Sequence, residues 1–442
     1  MGNAILLAGL GFGDEGKGSV IDHLTHTTGA TLVVRYNGGA QAAHNVITNR
    51  GFHHTFAQFG SGTFAGAKTH LSRHMLVNPN NLLNEAKALE GLGFDPLDLI
   101  TLERDALVTN MFQVTANRLR EAHRGKGRHG SCGLGIGETV ADALQHPDQA
   151  LRIGDLQDRE LTRKKLTFSR DLKFAEFGGR GPSVDHPFSD QRLEFYLDLY
   201  ADFAKRYQIV DRQYLEQQLK QEGTVIFEGA QGVLLDQDYG FHPYTTWSDT
   251  TFGNAHDLLQ GFDGPVRKIG VLRGYMTRHG AGPFPTELPD DVRLDCDIQT
   301  DLHNKWGEFQ RHFRVGHFDA VLARYALEVI GGVDELAITN LDKLGAKPQI
   351  CPSYRDDFGR KVHRIAPKKL DDFMLEQGAH HWTRILPTLK PNYVTLPDRV
   401  SIVDCIAEEL RTSVTLCSVG PKTQHKWPTR YLRDLQASQW NS

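Results

Sequence analysis

A glycine-rich stretch near the start of the chain limits what this sequence can fold into more than any other feature. Residues 9–18, G-L-G-F-G-D-E-G-K-G, directly follow the apolar run 4–8. An apolar strand that leads through a glycine-rich turn into a helix collects free backbone N–H groups at one point, and such groups bind anions. Lys17 adds a positive charge there. The stretch therefore predicts a phosphate-binding loop between a strand and a helix.

The loop carries two acidic residues that an ordinary phosphate loop lacks. Gly11 and Lys17 have the spacing of the P-loop pattern, but Gly18 stands where that pattern has a magnesium-binding Ser or Thr. The carboxylates of Asp14 and Glu15 repel a phosphate unless a metal ion or a proton transfer requires them. A plain turn that only packs a helix on a strand is the simpler interpretation, but it explains neither the lysine nor the acids.

The order of apolar segments predicts an α/β fold with a large, mostly parallel central sheet flanked by helices. The expected strands are residues 4–8, 31–36, 224–228, 268–275, 335–340 and 414–418, and the expected helices are residues 79–92, 192–207, 320–330 and 400–412. In such sheets ligands bind beyond the carboxyl ends of the strands. We expect one domain over residues 1–442, with loop excursions near 161–190, which includes the glycine-rich run 178–182, and near 276–318.

Composition argues against several other classes of protein. Of the 442 residues, 39% are hydrophobic and 24% are charged, and no apolar run reaches the length of a membrane span. A net charge of −4 provides no general attraction for nucleic acid. The five cysteines are scattered without a C-x-x-C pair, and the N-terminus has no signal-peptide pattern. We therefore expect a cytoplasmic protein with reduced thiols and with neither a membrane nor a nucleic acid as partner.

Other polar motifs follow further expected strands. His44 ends a turn of small residues after the second strand, and Ser131 and Cys132 lie in another glycine-rich turn at 129–137, which has the composition of a second phosphate site. A more specific interpretation is that Cys132 is a nucleophile. That role needs a partner histidine, which the sequence does not identify. Gln231 offers an amide that can both donate to and accept from a purine edge.

The remaining motifs suggest specific ligand chemistry. Asp342 follows a strand, and its carboxylate can accept two hydrogen bonds from N1–H and the exocyclic amine of guanine, which an adenine edge cannot offer. Arg311 and Arg314 can grip a carboxylate through two parallel hydrogen bonds. The turn that contains Ser418 and Gly420 follows the last strand and completes the expected base pocket.

Four motifs together carry a resemblance to a known family. They are G-D-E-G-K-G at 13–18, R-Y-N-G-G at 35–39 with His44, F-E-G-A-Q-G at 227–232 and G-A-G-P-F-P-T-E-L at 280–288. In this order the chain resembles adenylosuccinate synthetases from residue 9 to about residue 421. The resemblance implies a P-loop-like, GTPase-related architecture with long functional loops, and a GTP-dependent C–N ligase that joins L-aspartate to C6 of IMP.

The resemblance also implies a mechanism for the acid in the opening loop. Asp14 takes the proton from N1 of the purine, O6 attacks the γ-phosphate of the triphosphate, and His44 acts as general acid toward the departing diphosphate. The amine of aspartate then displaces the 6-phosphoryl group. Lys17 and the loop N–H groups neutralise the developing charge, and Mg²⁺ bridges the phosphates with Asp14 and Ala43 as its protein ligands.

Carried over residue by residue, the resemblance implies three sets of site residues and a homodimer as the usual assembly. The catalytic residues are Asp14, Lys17 and His44. The contacts to the triphosphate are Gly13, Glu15, Gly16, Lys17, Gly18, Asp342, Ser418 and Gly420. The contacts to the purine nucleotide and aspartate are Asn37, Gln41, Ser131, Cys132, Gln231, Thr246, His279, Arg311 and Arg314.

Several positions depart from the family pattern. Asn340 replaces the lysine whose stem covers the guanine, and residues 306–314 replace a threonine-rich aspartate loop. His279 stands in place of a small apolar residue near the ribose, and Trp247 in place of a serine near the substrate loop. Asp148 occupies the position from which the family sends an arginine across the dimer.

These departures leave two alternatives to an IMP-aminating ligase. One is a paralogue that aminates GMP or dGMP, with GTP or ATP as donor, as phage enzymes that make 2-aminoadenine precursors do; those enzymes typically carry serine at the position of Asp14. The other is a nucleotide-binding regulator without activity. Retention of Asp14 and His44 disfavours the regulator, because a binder needs neither.

Overall fold

The computed structural model describes residues 2–127, 129–178, 186–289 and 313–434, and the structural statements below concern these residues. Its strands are β1 Asn3–Gly9, β2 Leu32–Arg35, β3 His44–Ile47, β4 His53–Phe56, β5 Lys68–Leu71, β6 Leu76–Val77, β7 Ile100–Glu103, β8 Leu107–Val108, β9 Gln208–Val210, β10 Thr224–Gly232, β11 Val266–Arg273, β12 Met276–His279, β13 Phe313–Gly316, β14 Phe318–Asp319, β15 Glu335–Thr339, β16 Gln349–Arg355, β17 Lys361–Val362, β18 Lys390–Thr395, β19 Val414–Ser418 and β20 Lys426–Pro428. Its α-helices are α1 Lys17–Thr28, α2 Pro79–Gly91, α3 Met111–Arg124, α4 Ile136–Gln145, α5 Arg159–Phe177, α6 Asp190–Arg206, α7 Gln213–Lys220, α8 Gly253–Leu258, α9 Ala320–Val329, α10 Asp372–Glu376, α11 His381–Ile385 and α12 Ser401–Leu410.

Ten strands of the described chain form one central sheet. Their order is β20-β19-β15-β11-β1-β10-β2-β5-β7-β9. Every neighbouring pair is parallel except β19 and β20. The predicted α/β fold with a mostly parallel sheet is therefore confirmed, and β1 lies near the middle of that sheet.

Strand β1 is buried on both faces, as a central strand of a parallel sheet should be. Leu6 packs into the large core that contains α9 and α12, whereas Leu7 packs into a smaller core under α1, and both are fully buried. Helix α1 begins directly after Gly16, whose φ of 86° lies in the left-handed region, and ends at Gly29 with φ 64°. The carboxyl end of β1 therefore leads straight into the N-terminus of α1.

The segment 161–190 differs from the predicted loop excursion. Helix α5 covers most of it, starting after Asp158, whose side chain accepts hydrogen bonds from the N–H groups of Glu160 and Leu161. The apolar pattern hides this helix because its buried face includes Lys173, which pairs with Glu138 and Asp142 on α4. Residue 178 ends the helix, and the remainder of the predicted glycine-rich run lies outside the described residues.

The second predicted excursion, 276–318, has a strand near each of its ends. Strands β12 and β13 pair in antiparallel register, with Arg278 opposite Arg314 and His279 opposite Phe313. Arg311 and most of the segment 306–314 lie outside the described residues. Beyond residue 316 a second, smaller sheet forms from β14, β16, β17 and β18. None of the helices in the described ranges is both long enough and apolar enough to cross a bilayer.

Candidate active site

A cavity of about 910 Å³ opens at the carboxyl ends of the central strands. Its size lies within the usual range for small-molecule sites. Its lining includes residues after β1, β2, β10, β11, β15 and β19. Most predicted site residues line it: Gly13, Asp14, Gly16, Lys17, Gly18, Gln41, Ala43, His44, Ser131, Cys132, Gln231, Thr246, His279, Asp342, Ser418 and Gly420. The fold therefore brings residues from distant parts of the chain to one place.

Three non-glycine residues at this edge have left-handed backbone conformations. Asp14 has φ 59°, Gln231 has φ 58° and Asn340 has φ 56°. Each lies just after, or at the end of, one of the strands β1, β10 and β15, and each lines the cavity. Such conformations are unfavourable for residues with a Cβ and concentrate at functional sites, where the surrounding structure holds them. This backbone geometry aims three polar side chains from three strands at the same volume.

Asp14 presents an ionised carboxylate beside the cavity. Its Oδ2 lies 3.0 Å from Nε2 of His279, and Arg273 donates a 2.5 Å hydrogen bond to its main-chain oxygen. Burial alone raises the pKa of Asp14, but the hydrogen bond and charge of His279, with the charges of Arg273 and Lys17, outweigh it and hold the pKa below its ordinary value. The side chain keeps 27% of its surface exposed, so the carboxylate remains within reach of a ligand.

His44 is oriented by Glu228, a residue for which the sequence predicts no role. Its Nδ1 lies 2.5 Å from Oε1 of Glu228, and Ser61 donates to both oxygens of that carboxylate. Burial alone raises the pKa of Glu228, but the charge of Arg35 and the hydrogen bonds from His44 and Ser61 lower it to about 2. Contact of Nδ1 with Glu228 leaves Nε2 as the ring nitrogen for a ligand. The sequence does hold one sign of this role, because Glu228 is the single acidic residue inside the mostly apolar strand β10.

The pKa of His44 is lowered from its ordinary value. Burial is the largest cause, and the charges of Arg35 and Lys17 act in the same direction, while the hydrogen bond and charge of Glu228 oppose them. The imidazole is therefore neutral near pH 7 in the ligand-free protein. It gains a proton more easily when an anion enters the cavity beside it, because a negative charge stabilises the imidazolium.

Glu15 lies inside the loop with its carboxylate turned toward the protein, and its contact to the triphosphate stays a prediction. Its carboxylate accepts hydrogen bonds from the N–H groups of Gly11 and Gly13, at 3.0 and 2.8 Å, and lies 2.5 Å from Nζ of Lys17. The residue is only 2% exposed and is not part of the cavity lining. The charge that was expected to repel a phosphate is therefore compensated within the protein.

Two more predicted contacts are engaged by the protein itself. Asn37 is fully buried, and its amide bridges Ala230 and the main-chain oxygen of Asp249. Arg314 pairs through two hydrogen bonds with Glu287, and it also donates to the main-chain oxygens of Gly280 and Gly282. Neither residue lines the cavity. Their polar atoms hold neighbouring loops together in the ligand-free protein, and their contacts to the substrates stay predictions.

The second glycine-rich turn contributes Ser131 and Cys132 to the cavity. Ser131 Oγ donates to Asn117 at 2.9 Å and accepts from the N–H of Gly133 at 3.1 Å. Burial raises the pKa of the Cys132 thiol to about 11, so the thiolate needed for nucleophilic attack is scarce near neutral pH. The turn has the character of a binding element, and the structure gives no support to a cysteine nucleophile.

Several amide and carboxylate atoms at the cavity have no hydrogen-bond partner among the described residues. They are both amide atoms of Gln41, Oε1 of Gln231 and Oδ1 of Asp342, and all are buried. Burial raises the pKa of Asp342, while Lys343, Lys426 and Arg273 oppose it. A buried polar atom without a partner costs about 1–3 kcal/mol. These atoms are therefore the places where a polar ligand gains most on binding.

Comparison with known proteins identifies the family. The sequence model of adenylosuccinate synthetase matches residues 6–427. The adenylosuccinate synthetase of Chlorobium limicola is 33% identical over 444 residues, covering 95% of each chain. That of Saccharopolyspora erythraea is 34% identical over 393 residues, covering 86% of this chain and 85% of the relative.

Solved structures agree on the fold. The fully ligated adenylosuccinate synthetase of Plasmodium falciparum superimposes with a TM-score of 0.79 at 23% identity, over 96% of this chain and 99% of that chain. The succinoaminodeoxyadenylate synthetase PurZ of cyanophage S-2L, bound to dGMP and dATP, gives a TM-score of 0.59 at 16% identity over 99% of each chain. With sequence matches over nearly its whole length, the chain belongs to the adenylosuccinate synthetase family of nucleotide-dependent ligases.

Proposed function

We propose that this chain joins L-aspartate to C6 of IMP, with GTP as the phosphoryl donor and a 6-phosphoryl purine as intermediate. One observation carries the proposal. The ionised Asp14 carboxylate and the imidazole of His44, oriented by Glu228, line the same cavity together with Lys17. A base, an oriented proton donor and a cation around one ligand volume are what phosphoryl transfer to a purine oxygen requires.

In the first half-reaction Asp14 accepts the N1 proton of the purine. The electron pair released from N1 raises the nucleophilicity of O6, which forms a bond to the γ-phosphorus as the bond to the β-phosphate oxygen breaks. The lowered pKa of Asp14 keeps the carboxylate ionised before the purine binds. The oxygen of Asp14 that is not held by His279 is the one that faces N1 in this proposal.

His44 acts on the leaving diphosphate. Its Nδ1 is engaged by Glu228, so Nε2 faces the phosphate bridge as charge builds up on the departing oxygen. The buried Glu228 carboxylate and the incoming phosphates both favour the imidazolium, so the ring takes up a proton and then carries one on Nε2 to give to the departing oxygen. Lys17 provides a positive charge on the same side of the cavity.

In the second half-reaction the amine of aspartate attacks C6. The C6–N bond forms, the C6–O6 bond breaks, and the phosphate leaves with the former O6 of the purine and the proton that the amine loses. Because phosphate is a far better leaving group than hydroxide, prior phosphorylation makes this substitution feasible.

Magnesium fits the residues that remain open. Mg²⁺ is commonly held by one or two carboxylates together with substrate phosphates, so it does not need an all-protein cage. Asp14 supplies a partly exposed carboxylate and Ala43 lines the cavity next to His44, whereas no group of three or more His, Cys, Asp or Glu side chains gathers as a metal site in the described ranges. Asp14 and Ala43 would hold the ion, which when bound neutralises charge on the phosphates.

Asp342 is proposed to select the base of the triphosphate. Its buried Oδ1 lacks a partner among the described residues and its residue lines the cavity, so it can accept hydrogen bonds from a guanine edge. Asn340 adopts a left-handed conformation two residues before it. The choice between GTP and ATP therefore depends on Asp342 in this proposal.

The proposed activity is tested by a matrix of acceptors and donors. Purified protein with Mg²⁺ and aspartate is given IMP, GMP or dGMP against GTP or ATP, and the ultraviolet absorbance change of a 6-amino purine is followed. We expect turnover with IMP and GTP. Turnover only with GMP or dGMP would instead identify a guanylate-aminating paralogue. No absorbance change with any combination contradicts the ligase proposal and favours a regulator.

The assembly and the amine donor are also proposals. Family membership supports a cytoplasmic homodimer, which light scattering of the purified protein tests directly. Ammonia and L-glutamate in place of aspartate test the donor, since Arg314 is occupied by Glu287 and Arg311 lies outside the described residues. We expect only aspartate to support turnover.

A further inference from the structure

We infer that the carboxylate of Glu15 is a permanent internal anion around which the opening loop is built, and that Glu15 is a positioning residue for Lys17. The inference rests on the proposed function only for its kinetic readout. Sequence reasoning assigned the glycines of this loop to an incoming phosphate. The contacts instead place a side chain of the loop itself at their centre.

Three glycines make room for this carboxylate. A Cβ on Gly9 would lie 2.2 Å from Oε2 of Glu15, and one on Gly232 would lie 2.5 Å from Oε1. A Cβ on Gly11 would lie 3.0 Å from the same Oε1. Gly9 and Gly232 are also direct partners in the β1–β10 register. Alanine at Gly9 would therefore displace the carboxylate, so the end of β1 is shaped around Glu15. A Cβ on Gly232 would also lie 2.2 Å from the main-chain oxygen of Gly11 and 2.6 Å from the nitrogen of Gly13, so the end of β10 is shaped around the loop and its carboxylate together.

The charge of Glu15 also explains how Lys17 can be buried. Lys17 is 3% exposed, and its Nζ lies 2.5 Å from Oε2 of Glu15. A buried ammonium group is costly unless it is paired and hydrogen-bonded. Thr339 donates a 2.6 Å hydrogen bond to the main-chain oxygen of Glu15, which fixes the same residue to the end of β15. Lys17 is thus held beside the cavity before any nucleotide arrives.

The loop therefore has two positions where main-chain N–H groups can hold an anion, called here the inner place and the outer place. The inner place is taken by Glu15, which uses the N–H groups of Gly11 and Gly13. The outer place is the N-terminus of α1, where the first helical hydrogen bond comes from the N–H of Val20, so the N–H groups of residues 17–19 precede the ladder. These three residues line the cavity. An incoming phosphate then binds at the outer place, while the inner one sets the loop geometry.

Two substitutions of Glu15 distinguish the effect of its negative charge from the effect of its side-chain shape. Glu15→Gln keeps the length of the side chain and one acceptor oxygen but removes the anion beside Lys17. Glu15→Ala removes a fragment that matches acetate in its atoms, so added acetate can restore the missing carboxylate. The matched control is Glu85→Gln, because Glu85 is also buried and accepts main-chain hydrogen bonds, from Ala57, Gln58 and Phe59, away from the cavity.

Kinetics and binding give the result that a merely structural role would not produce. We expect Glu15→Gln to lower kcat about 100-fold, as small misplacements in an active site do, with the KM for the purine nucleotide little changed. We expect acetate to raise the kcat of Glu15→Ala at least about tenfold, in line with one recovered charged contact. Glu85→Gln should leave both constants within about twofold.

A readout independent of turnover keeps the inference separate from the proposed function. Acetate should raise the melting temperature of Glu15→Ala more than that of the wild type or of Glu85→Gln, whether or not the wild type shows ligase activity. If Glu15→Ala does not fold, Glu15→Gln and its control decide. A kcat of Glu15→Gln within twofold of the wild type, or no selective effect of acetate on a folded Glu15→Ala, overturns the inference.

Discussion

Two regions of the cavity differ in how their polar atoms find hydrogen-bond partners. One is the catalytic end around Glu15 and His44. The other, here called the ligand-reading walls, contains Gln41, Gln231 and Asp342. Around Glu15 and His44 the protein supplies its own partners, through Gly11, Gly13, Lys17 and Glu228. On the walls, by contrast, both amide atoms of Gln41, Oε1 of Gln231 and one oxygen of Asp342 have no partner among the described residues. The groups that do chemistry are positioned in advance, whereas the groups that recognise ligands are left ready for them.

This difference leads to different expectations for substitutions. Where the protein satisfies a group, its removal should lower turnover or stability in the free protein. Where a group awaits a ligand, its removal should weaken binding and leave the free protein as stable as before, because an unsatisfied buried atom contributes nothing favourable.

The largest effect is expected at Asp14. Asp14→Asn keeps the size of the side chain but removes the base, so we expect kcat to fall about 1,000-fold or more. Triphosphate binding, measured by calorimetry, should remain detectable because Lys17 and the α1 N-terminus are unchanged. Activity near that of the wild type would remove Asp14 from the proposed mechanism.

Glu228→Gln should have the next largest effect. The substitution weakens the partner that orients His44 and stabilises its protonated form, so kcat should fall about 10- to 100-fold. The KM for the triphosphate should change much less. Gln58→Ala, at a buried amide that joins the chain near Asn78 and does not line the cavity, is the control for general loosening.

The same variant predicts a dependence of stability on pH. The pKa of Glu228 is lowered to about 2, below its ordinary value near 4.5, so the carboxylate stabilises the fold above pH 4.5. That contribution is lost as pH falls from about 4.5 through 2. The difference in unfolding free energy between wild type and Glu228→Gln should therefore shrink over this range. A difference that stays constant with pH would contradict the assignment.

Asp342→Asn tests the ligand-reading wall on the triphosphate side. The substitution replaces one acceptor oxygen with a donor, so the KM for GTP should rise about 10- to 100-fold, as expected for loss of hydrogen bonds to a charged group. The KM for ATP should not rise in parallel. Parallel changes for both nucleotides would place the guanine contact elsewhere.

The smallest effects come from a pair of amides that contrast the two regions. Gln41→Ala should raise the KM for the purine nucleotide about five- to tenfold without lowering the melting temperature. Asn37→Ala should lower the unfolding free energy by about 1–3 kcal/mol, because it leaves buried partners at Ala230 and Asp249 unsatisfied. Equal stability losses in both variants would erase the distinction between the regions.

The sequence predicted the middle of the sheet better than its edge. Strands such as β1 and β10 are long apolar runs, because both faces of a central parallel strand are buried. The short strands β5, β7 and β9 were not predicted, since segments such as K-T-H-L at Lys68–Leu71 carry polar side chains and too few residues for a clear period. Helix α5 was missed because a buried ion pair replaces apolar residues on its inner face.

Residue type and position along the chain predicted many of the groups that line the cavity. Asp14, Lys17, His44 and Gln231 do gather at one cavity, as strand-end positions suggested. Glu15, Asn37 and Arg314 have equally suitable chemistry, but their polar atoms are already used within the protein. Sequence shows which groups are available and cannot show which are consumed, because the partners come from distant segments.

Transfer of O6 to phosphate is the central claim, and an isotope experiment tests it most directly. IMP labelled with ¹⁸O at position 6 is converted with aspartate and GTP, and the released phosphate is analysed by mass spectrometry. If Asp14 activates O6 for attack on the γ-phosphate, one ¹⁸O atom appears in each phosphate released. Unlabelled phosphate accompanying amination would contradict the 6-phosphoryl intermediate and the role given to Asp14.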